Sequence, residues 1–424
     1  MYILKKKKIV SCFCLFVSII LLACTNNTTS KKNEDVQVLP TIKISPPDVN
    51  KLPFLHLSEL AYNVEYFKLE TRKDLLLGHC QVYYSDTSNY MLVVSDNKLR
   101  IFDKNGKYIR KIGEIGRGPN EFIPRQVAVD FSNDILYIYT LWERHILKFD
   151  FNGNFKGVIE NELFADLSIL KYMDGQLILV NAIGPHLKEA FKGGYMELSS
   201  FDPNSNKINY YLPNNWDIKY NRNMLSFTVN DNELLSVVNN KIAYYKMQYC
   251  DTLYKVANGK IKPFLFIDMG NHKYSVERCQ IRQGEPIAEH FKNKILIQSM
   301  FASNNKILLQ CTYFNPHIKQ DNESFLCVFN RYSNEYTYYN SNIINDINGG
   351  PNVSVKDLSS PSYLRLAPVL FKDQPDGNTN VYFSRHDNTV LKFPERKNEF
   401  NNMINSSKID DNPIVQIITL RDNY

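Results

Sequence analysis

The residues of this chain whose types could carry acid–base or metal chemistry are Glu121, Glu143 and Asp387, together with His145, His186, His317 and His386. Each sits among turn-forming residues between short apolar runs. Glycoside hydrolysis needs two carboxylates at a fixed separation, and a metal needs imidazoles from different loops within ~2.1 Å of one point. Linear spacing singles out no such carboxylate pair. The chain also lacks a Gly-x-Ser-x-Gly elbow and any zinc-like Cys-x-x-Cys or Cys/His spacing. The glycine-rich stretch Gly113 to Phe122 invites comparison with a dinucleotide loop, but those loops follow a parallel strand and open a helix. Here Pro119 and Pro124 lead straight into another strand. The stretch therefore reads as a connector whose glycines serve geometry, with Phe122 plugging between neighbouring sheets. No catalytic residue, metal or cofactor is expected.

The elements that must position these residues are short strands. Cys80 to Ser85, Tyr90 to Ser95, Lys98 to Phe102 and Lys107 to Ile112 are each bounded by Asp, Asn, Ser or Gly, as hairpin strands are. The set returns as Arg125 to Asp130, Asp134 to Tyr139, His145 to Phe149 and Asn154 to Ile159. Phe149-Asp-Phe-Asn-Gly153 follows Phe102-Asp-Lys-Asn-Gly106 at an offset of 47 residues. Such a period built of strands is the signature of a propeller and not of a helical solenoid. Fainter copies continue to Asn380 to Ser384 and Thr389 to Phe393, so six cassettes are countable. The expected fold is all-β, a six-bladed β-propeller of four-stranded antiparallel blades. Pairing of Val64 to Glu70 with the last strand, Pro413 to Leu420, is expected to close it.

In a four-stranded blade, the loops from strand two to strand three and from strand four to the next blade emerge on one face. That face collects Arg117, Glu121, Trp142, Glu143, Arg144, His145, His186, His317, Arg385 and His386, the candidate ligand-binding residues. Loops between second and third strands begin about 5 Å or more outside the innermost strand. Their histidines are therefore expected to be solvated side chains of a binding surface, not a metal centre.

At the N-terminus, Lys5 to Lys8 precede the apolar run Ile9 to Leu22, the pattern of a secretory signal too short to span a membrane. Leu21-Leu-Ala-Cys24 resembles the bacterial lipobox, which makes Cys24 the expected lipidation site and places the signal at 1–23. Residues 24–60 then form a lipidated tether and proline-rich extended leader, and 61–424 the propeller. Cutting off the four signal lysines lowers the formal charge from +6 to +2, which gives no electrostatic case for nucleic acid. Cys80, Cys250, Cys279, Cys311 and Cys327 remain, scattered as core cysteines are, although an exported chain could carry a disulfide.

Gly106 to Gly113, Gly118-Pro-Asn-Glu-Phe122 and Val127-Ala-Val-Asp130 look like an NHL-type propeller repeat. Lys68-Leu-Glu-Thr71, the glycine loop, Asp251-Thr-Leu-Tyr254, Asp346-Ile-Asn-Gly-Gly350 and Asn412-Pro-Ile-Val415 further resemble the six-bladed β-propeller lipoproteins of Gram-negative bacteria. The resemblance implies that fold and a cell-envelope location, as an outer-membrane lipoprotein, and carries no general activity. The expected function is non-enzymatic: a monomeric, membrane-anchored binding or scaffold module for a glycan, peptide or envelope protein. The alternative is a carbohydrate-active hydrolase or lyase using the central pocket.

Overall fold

Runs rich in Val, Ile, Tyr and Phe, broken by Asp, Asn and Gly, favour extended strands joined by tight turns. The computed structural model describes residues 38–421 with breaks, the longer of them 182–194, 215–223, 227–233, 275–279, 283–289, 316–321, 359–362 and 367–391. Pro40–Tyr424 is one unit, distinct from Met1–Leu39.

The leader contributes β1 (Thr41–Lys43) and β2 (Leu55–His56), and β3 (Ala61–Lys68) follows. The first sheet is β4 (Cys80–Tyr83), β5 (Tyr90–Ser95), β6 (Lys98–Asp103) and β7 (Tyr108–Ile112) in simple antiparallel order. The second repeats this order with β8 (Pro124–Asp130), β9 (Ile135–Thr140), β10 (Ile146–Asp150) and β11 (Phe155–Ile159), and the third with β12 (Leu167–Met173), β13 (Gln176–Asn181), β14 (Tyr195–Asp202) and β15 (Lys207–Asn214). After β16 (Met224–Ser226) comes the fourth sheet, β17 (Leu235–Val238), β18 (Ile242–Lys246), β19 (Thr252–Ala257) and β20 (Lys260–Asp268). β16 pairs with β21 (Gln280–Arg282), and the fifth sheet is β22 (Ile295–Ala302), β23 (Lys306–Tyr313), β24 (Glu323–Asn330) and β25 (Tyr336–Asn340). β26 (Ile343–Ile344) pairs with β2, and β27 (Tyr363–Leu366), β28 (Ile414–Leu420) and β3 form a last, three-stranded sheet. A helix, α1 (Glu395–Asn405), precedes β28.

The 47-residue repeat has a physical basis in its turns. Asp103 Oδ1 accepts the N–H groups of Asn105 and Lys107, both at 2.9 Å, and Asp150 Oδ1 accepts those of Asn152 and Asn154 at the same distances. Gly106 closes the first turn at φ 80°, and a Cβ there would stand 2.1 Å from the Lys68 carbonyl oxygen.

The sheets pack face to face. One apolar cluster joins the first and second through Leu99, Ile101, Ile138 and Phe149, with Phe122 wedged among them at 5.5 Å from the Phe149 ring. Further clusters join the second to the third, the third to the fourth, and the fourth to the fifth. Two more join the fifth to the β3 region and the β28 region to the first sheet. First strands of neighbouring sheets touch, β8 against β12, β17 against β22 and β27 against β4. Antiparallel four-strand sheets stacked in this way give the chain a nearly all-β, propeller-like fold.

Three features depart from the sequence reading. The leader carries two short helical turns, Val49–Lys51 and Leu57–Glu59, and β1 adds to β20 as a parallel fifth strand, with Ile42 wholly buried. The first long strand begins at Ala61, three residues before Val64, because Ala61 pairs with Leu420. β27 (Tyr363–Leu366) pairs with β28, and α1 stands before β28 where the sequence reading named no element; Asn380 to Ser384, and Thr389 to Phe393 apart from Lys392, lie outside the described residues. Among the described residues Cys250, Cys311 and Cys327 are free thiols, and burial pushes Cys327 up to about 12.

The chain ends meet through buried polar groups. β28 pairs with β3 along its length. Asn412, 3% exposed, donates to the carbonyls of Glu70 (2.6 Å) and Leu75 (2.8 Å) and accepts the Leu77 N–H at 2.8 Å. Its own N–H reaches Thr71 Oγ1 at 2.8 Å. Asp346 accepts the Ser58 N–H at 2.8 Å, and Asn348 Oδ1 accepts the Tyr66 hydroxyl at 3.3 Å. Removing the Asn412 side chain strands two carbonyls and an amide. Asn412→Ala is expected to lower unfolding free energy by about 3 kcal/mol, read from the urea midpoint; a loss under about 1 kcal/mol would contradict this role.

Candidate functional site

Within each described sheet, strand order puts the loops between second and third strands and the connectors to the next sheet at one end. Gly113 to Ile123 is such a connector. Phe122 N–H donates to Glu114 O at 2.8 Å and Glu121 N–H to Gly118 O at 3.0 Å. The Glu121 carboxylate turns back to accept the Gly118 N–H at 2.8 Å, and a Cβ at Gly116 would lie 2.0 Å from its Oε2. Glu121 thus holds the shape of its own loop while its side chain stays exposed. A side chain at Gly116 would displace that carboxylate, and Gly113 adopts the left-handed backbone, φ 64°.

Glu143, Arg144 and His145 stand together on the β9–β10 loop, the first two exposed and His145 half-buried. Arg144 adopts the left-handed backbone, φ 55°, and the His145 carbonyl accepts the Thr140 N–H at 3.1 Å to close the turn. Arg117, Trp142, His186, His317, Arg385, His386 and Cys24 lie outside the described residues. Among the described residues no three His, Cys, Asp or Glu side chains come together as a metal site.

The same end of the fourth and fifth sheets holds a recess that the sequence reading missed. Its volume is about 40 Å³. Leu234, Met269, Ile295 and Ile297 supply an apolar floor, and Lys246, Gln248, Tyr249 and Tyr274 supply polar groups. Tyr249 sits on the loop after β18 in the left-handed region, φ 58°, a conformation that costs a bulky residue ~1–3 kcal/mol. Its ring lies 5.6 Å from that of Tyr274, whose hydroxyl is 2.8 Å from His290 Nε2. The Tyr274 ring in turn packs 4.5 Å from Phe291, and Phe291 lies 5.0 Å from Phe314. The only sequence signal was a charge ending an apolar strand, Ile242-Ala-Tyr-Tyr-Lys246.

Lys246 holds this turn. It is 3% exposed, and its ammonium donates to the Met247 carbonyl at 2.8 Å and to the Cys250 carbonyl. Asp251, beside it in sequence, pairs with Lys273 at 2.6 Å, and buried Glu197 accepts the Tyr245 hydroxyl. Burial pushes the Lys246 amine down to about 8 and that of half-buried Lys171 likewise to about 8. A lysine with a depressed pKa in the fold binds fewer protons there than when unfolded, between about pH 8 and its ordinary range near 10.5. Stability contributed by such a group is therefore lowest below pH 8 and grows as pH rises through that window. Chemical denaturation at pH 7.5 and pH 9.5 is expected to show a rise on the order of 2 kcal/mol, smaller in Lys246→Met; an unchanged rise in that variant would refute the assignment.

Among the described residues no helix is long and apolar enough to cross a membrane. No curated protein matches the chain. It is similar to the crystal structure of a protein of Bacteroides fragilis described as exported, at 14% identity and a TM-score of 0.56, covering 91% of this chain and 100% of that one. A DUF4221 family member from Bacteroides vulgatus matches at 10% identity and a TM-score of 0.46, over 86% of this chain and 98% of that one. The first likeness concerns the fold alone. The family model described as Domain of unknown function (DUF4934) matches residues 39–419, and the chain belongs to that family.

Proposed function

We propose that the chain is an exported lipoprotein, anchored through Cys24, whose six-bladed propeller is a non-enzymatic binding or scaffold module with its ligand on the loop face. The observation that carries the binding role is the recess between the fourth and fifth sheets, where a backbone-strained tyrosine and a buried lysine stand over an apolar floor. Strain of this kind persists where surrounding structure holds it, and it clusters at ligand sites. Tyr and Lys groups on a rigid sheet end offer apolar area and hydrogen bonds at little entropic cost.

Six blades in a closed ring are supported by the succession of inter-sheet clusters, which runs from the first sheet to the β3 and β28 region and back to the first. A closed ring leaves only the short outer edges of its sheets unpaired, and β1 covers that of the fourth sheet, which agrees with a monomer. Export is supported by the signal-like start of the sequence and by the description of the B. fragilis protein.

Two experiments test this reading. On glycan and peptide arrays the purified chain is expected to bind a ligand without turning it over, and Tyr249→Ala or Trp142→Ala to weaken binding at least about tenfold. Turnover lost in Glu121→Gln or Glu143→Gln would instead establish the hydrolase or lyase. In cells, Cys24→Ser is expected to move the protein from the membrane to the soluble fraction; retention in the membrane would refute the lipid anchor.

A further inference from the structure

The end of the fourth sheet opposite the loop face carries charge of one sign. Two tight turns lie there, residues 239–241 between β17 and β18 and residues 258–259 between β19 and β20. Lys241, Lys255, Lys260 and Lys262 stand on or beside these turns, and residues 238–242 and 255–262 include no acid. Lys241, Lys260 and Lys262 are exposed and Lys255 is half-buried. None of the four has an ion-pair partner among the described residues. Lys255 and Lys262 face each other directly across the β19–β20 ladder, where like charges repel. Elsewhere acids stand at these places. Asp103, Asp150 and Asp202 end the third strands of the first three sheets and accept amides of the turns that follow. In the fourth sheet Ala257 ends that strand. The described acids of this sheet, Asp251 and Asp268, lie at the loop end, the first paired with Lys273 and the second accepting the Gly270 N–H.

The leader joins the body on this same sheet. β1 runs parallel to β20 and toward the loop end, starting from Pro40, whose carbonyl accepts the Phe266 N–H at 2.9 Å. Lys262 precedes Phe266 by four residues, about 13 Å along a strand. Cys24 is sixteen residues before Pro40, at most about 55 Å of chain. A body tied to a bilayer through Cys24 is therefore tethered at the fourth sheet, by a strand that heads for the loop face. Lysines near an anionic lipid surface are drawn to it within a Debye length, about 10 Å. Ammonium groups at the ends of two adjacent hairpins offer their charge to a flat surface, and the tether supplies one.

We propose that this end of the fourth sheet docks on the anionic lipid headgroups of the membrane that holds the anchor. Lys241, Lys255, Lys260 and Lys262 make the contact, and the loop face is turned away from the bilayer. The orientation rests on the lipid-anchor reading, whereas the affinity for anionic lipid belongs to the folded chain itself.

Cosedimentation of the purified, unlipidated Cys24→Ser chain with vesicles separates docking from anchoring. The chain is expected to pellet with vesicles of equal parts phosphatidylglycerol and phosphatidylcholine, and not with pure phosphatidylcholine. Replacing Lys255, Lys260 and Lys262 together by Gln is expected to weaken binding at least about tenfold, and replacing the same three by Arg to preserve it. Lys104→Gln with Lys107→Gln, on the matching turn of the first sheet, should leave binding unchanged. Equal binding to both kinds of vesicle, undiminished binding by the glutamine triple variant, or capture on dextran sulfate beads without vesicle binding overturns the proposal. The anchor is judged separately, by whether Cys24→Ser leaves the cell membrane in a high-salt wash, so either reading can fail while the other stands.

Discussion

Everything in this fold depends on how its two ends are joined. Stacked sheets bury apolar faces against both neighbours, so the stack gains its full stability only if the final sheet finds a neighbour too. Here the strand that begins the body, β3, and the strand that ends it, β28, lie in one sheet. Polar side chains fix their register: Asn412 ties the approach to β28 to Glu70 and Leu75, while Asp346 and Asn348 tie a distant segment to Ser58 and Tyr66. Hydrophobic contact alone tolerates sliding, whereas a buried amide with three specified partners does not.

That junction explains which parts of the sequence were legible. Asp346-Ile-Asn-Gly-Gly350 and Asn412-Pro-Ile-Val415 stood out as motifs before their role was known, and they are the residues that join the ends. Gly350 is glycine because a Cβ there would stand 1.9 Å from the Tyr66 hydroxyl. The strands of the first two sheets were legible for a local reason, since Asp103 and Asp150 organise their turns within five residues of sequence. β1 was not, because three residues of extended leader become a strand only when β20 offers an edge. β27 and α1 likewise depend on contacts beyond their own sequence.

The candidate site divided along the same line. Strand order decides which end of a sheet a connection leaves, and it puts Gly113 to Ile123 and the β9–β10 loop at one end of the second sheet. What each side chain does there is set by which backbone groups of its own loop it meets. The exposed Glu121 carboxylate accepts the N–H of Gly118 and so shapes the connector it stands on. Lys246, inside an apolar strand run, is buried beneath a turn that its own ammonium stitches together. A charge at the end of an apolar run carries no label for which of these fates awaits it.

The leader gives the molecule a mechanical character as well. From Pro40 the chain runs along β20, where Pro40 O accepts the Phe266 N–H at 2.9 Å and Ile44 donates to Asp268 O at 2.8 Å. Tyr338 then bonds Lys43 O at 2.8 Å, and the Pro53 carbonyl accepts the Asn340 N–H at 2.8 Å. Tension applied along the segment before Pro40 therefore meets several bonds and two buried isoleucines acting together on the outer rims of two sheets. The load is spread before it reaches β3, so the strand that joins the ends is shielded from traction on the N-terminal segment.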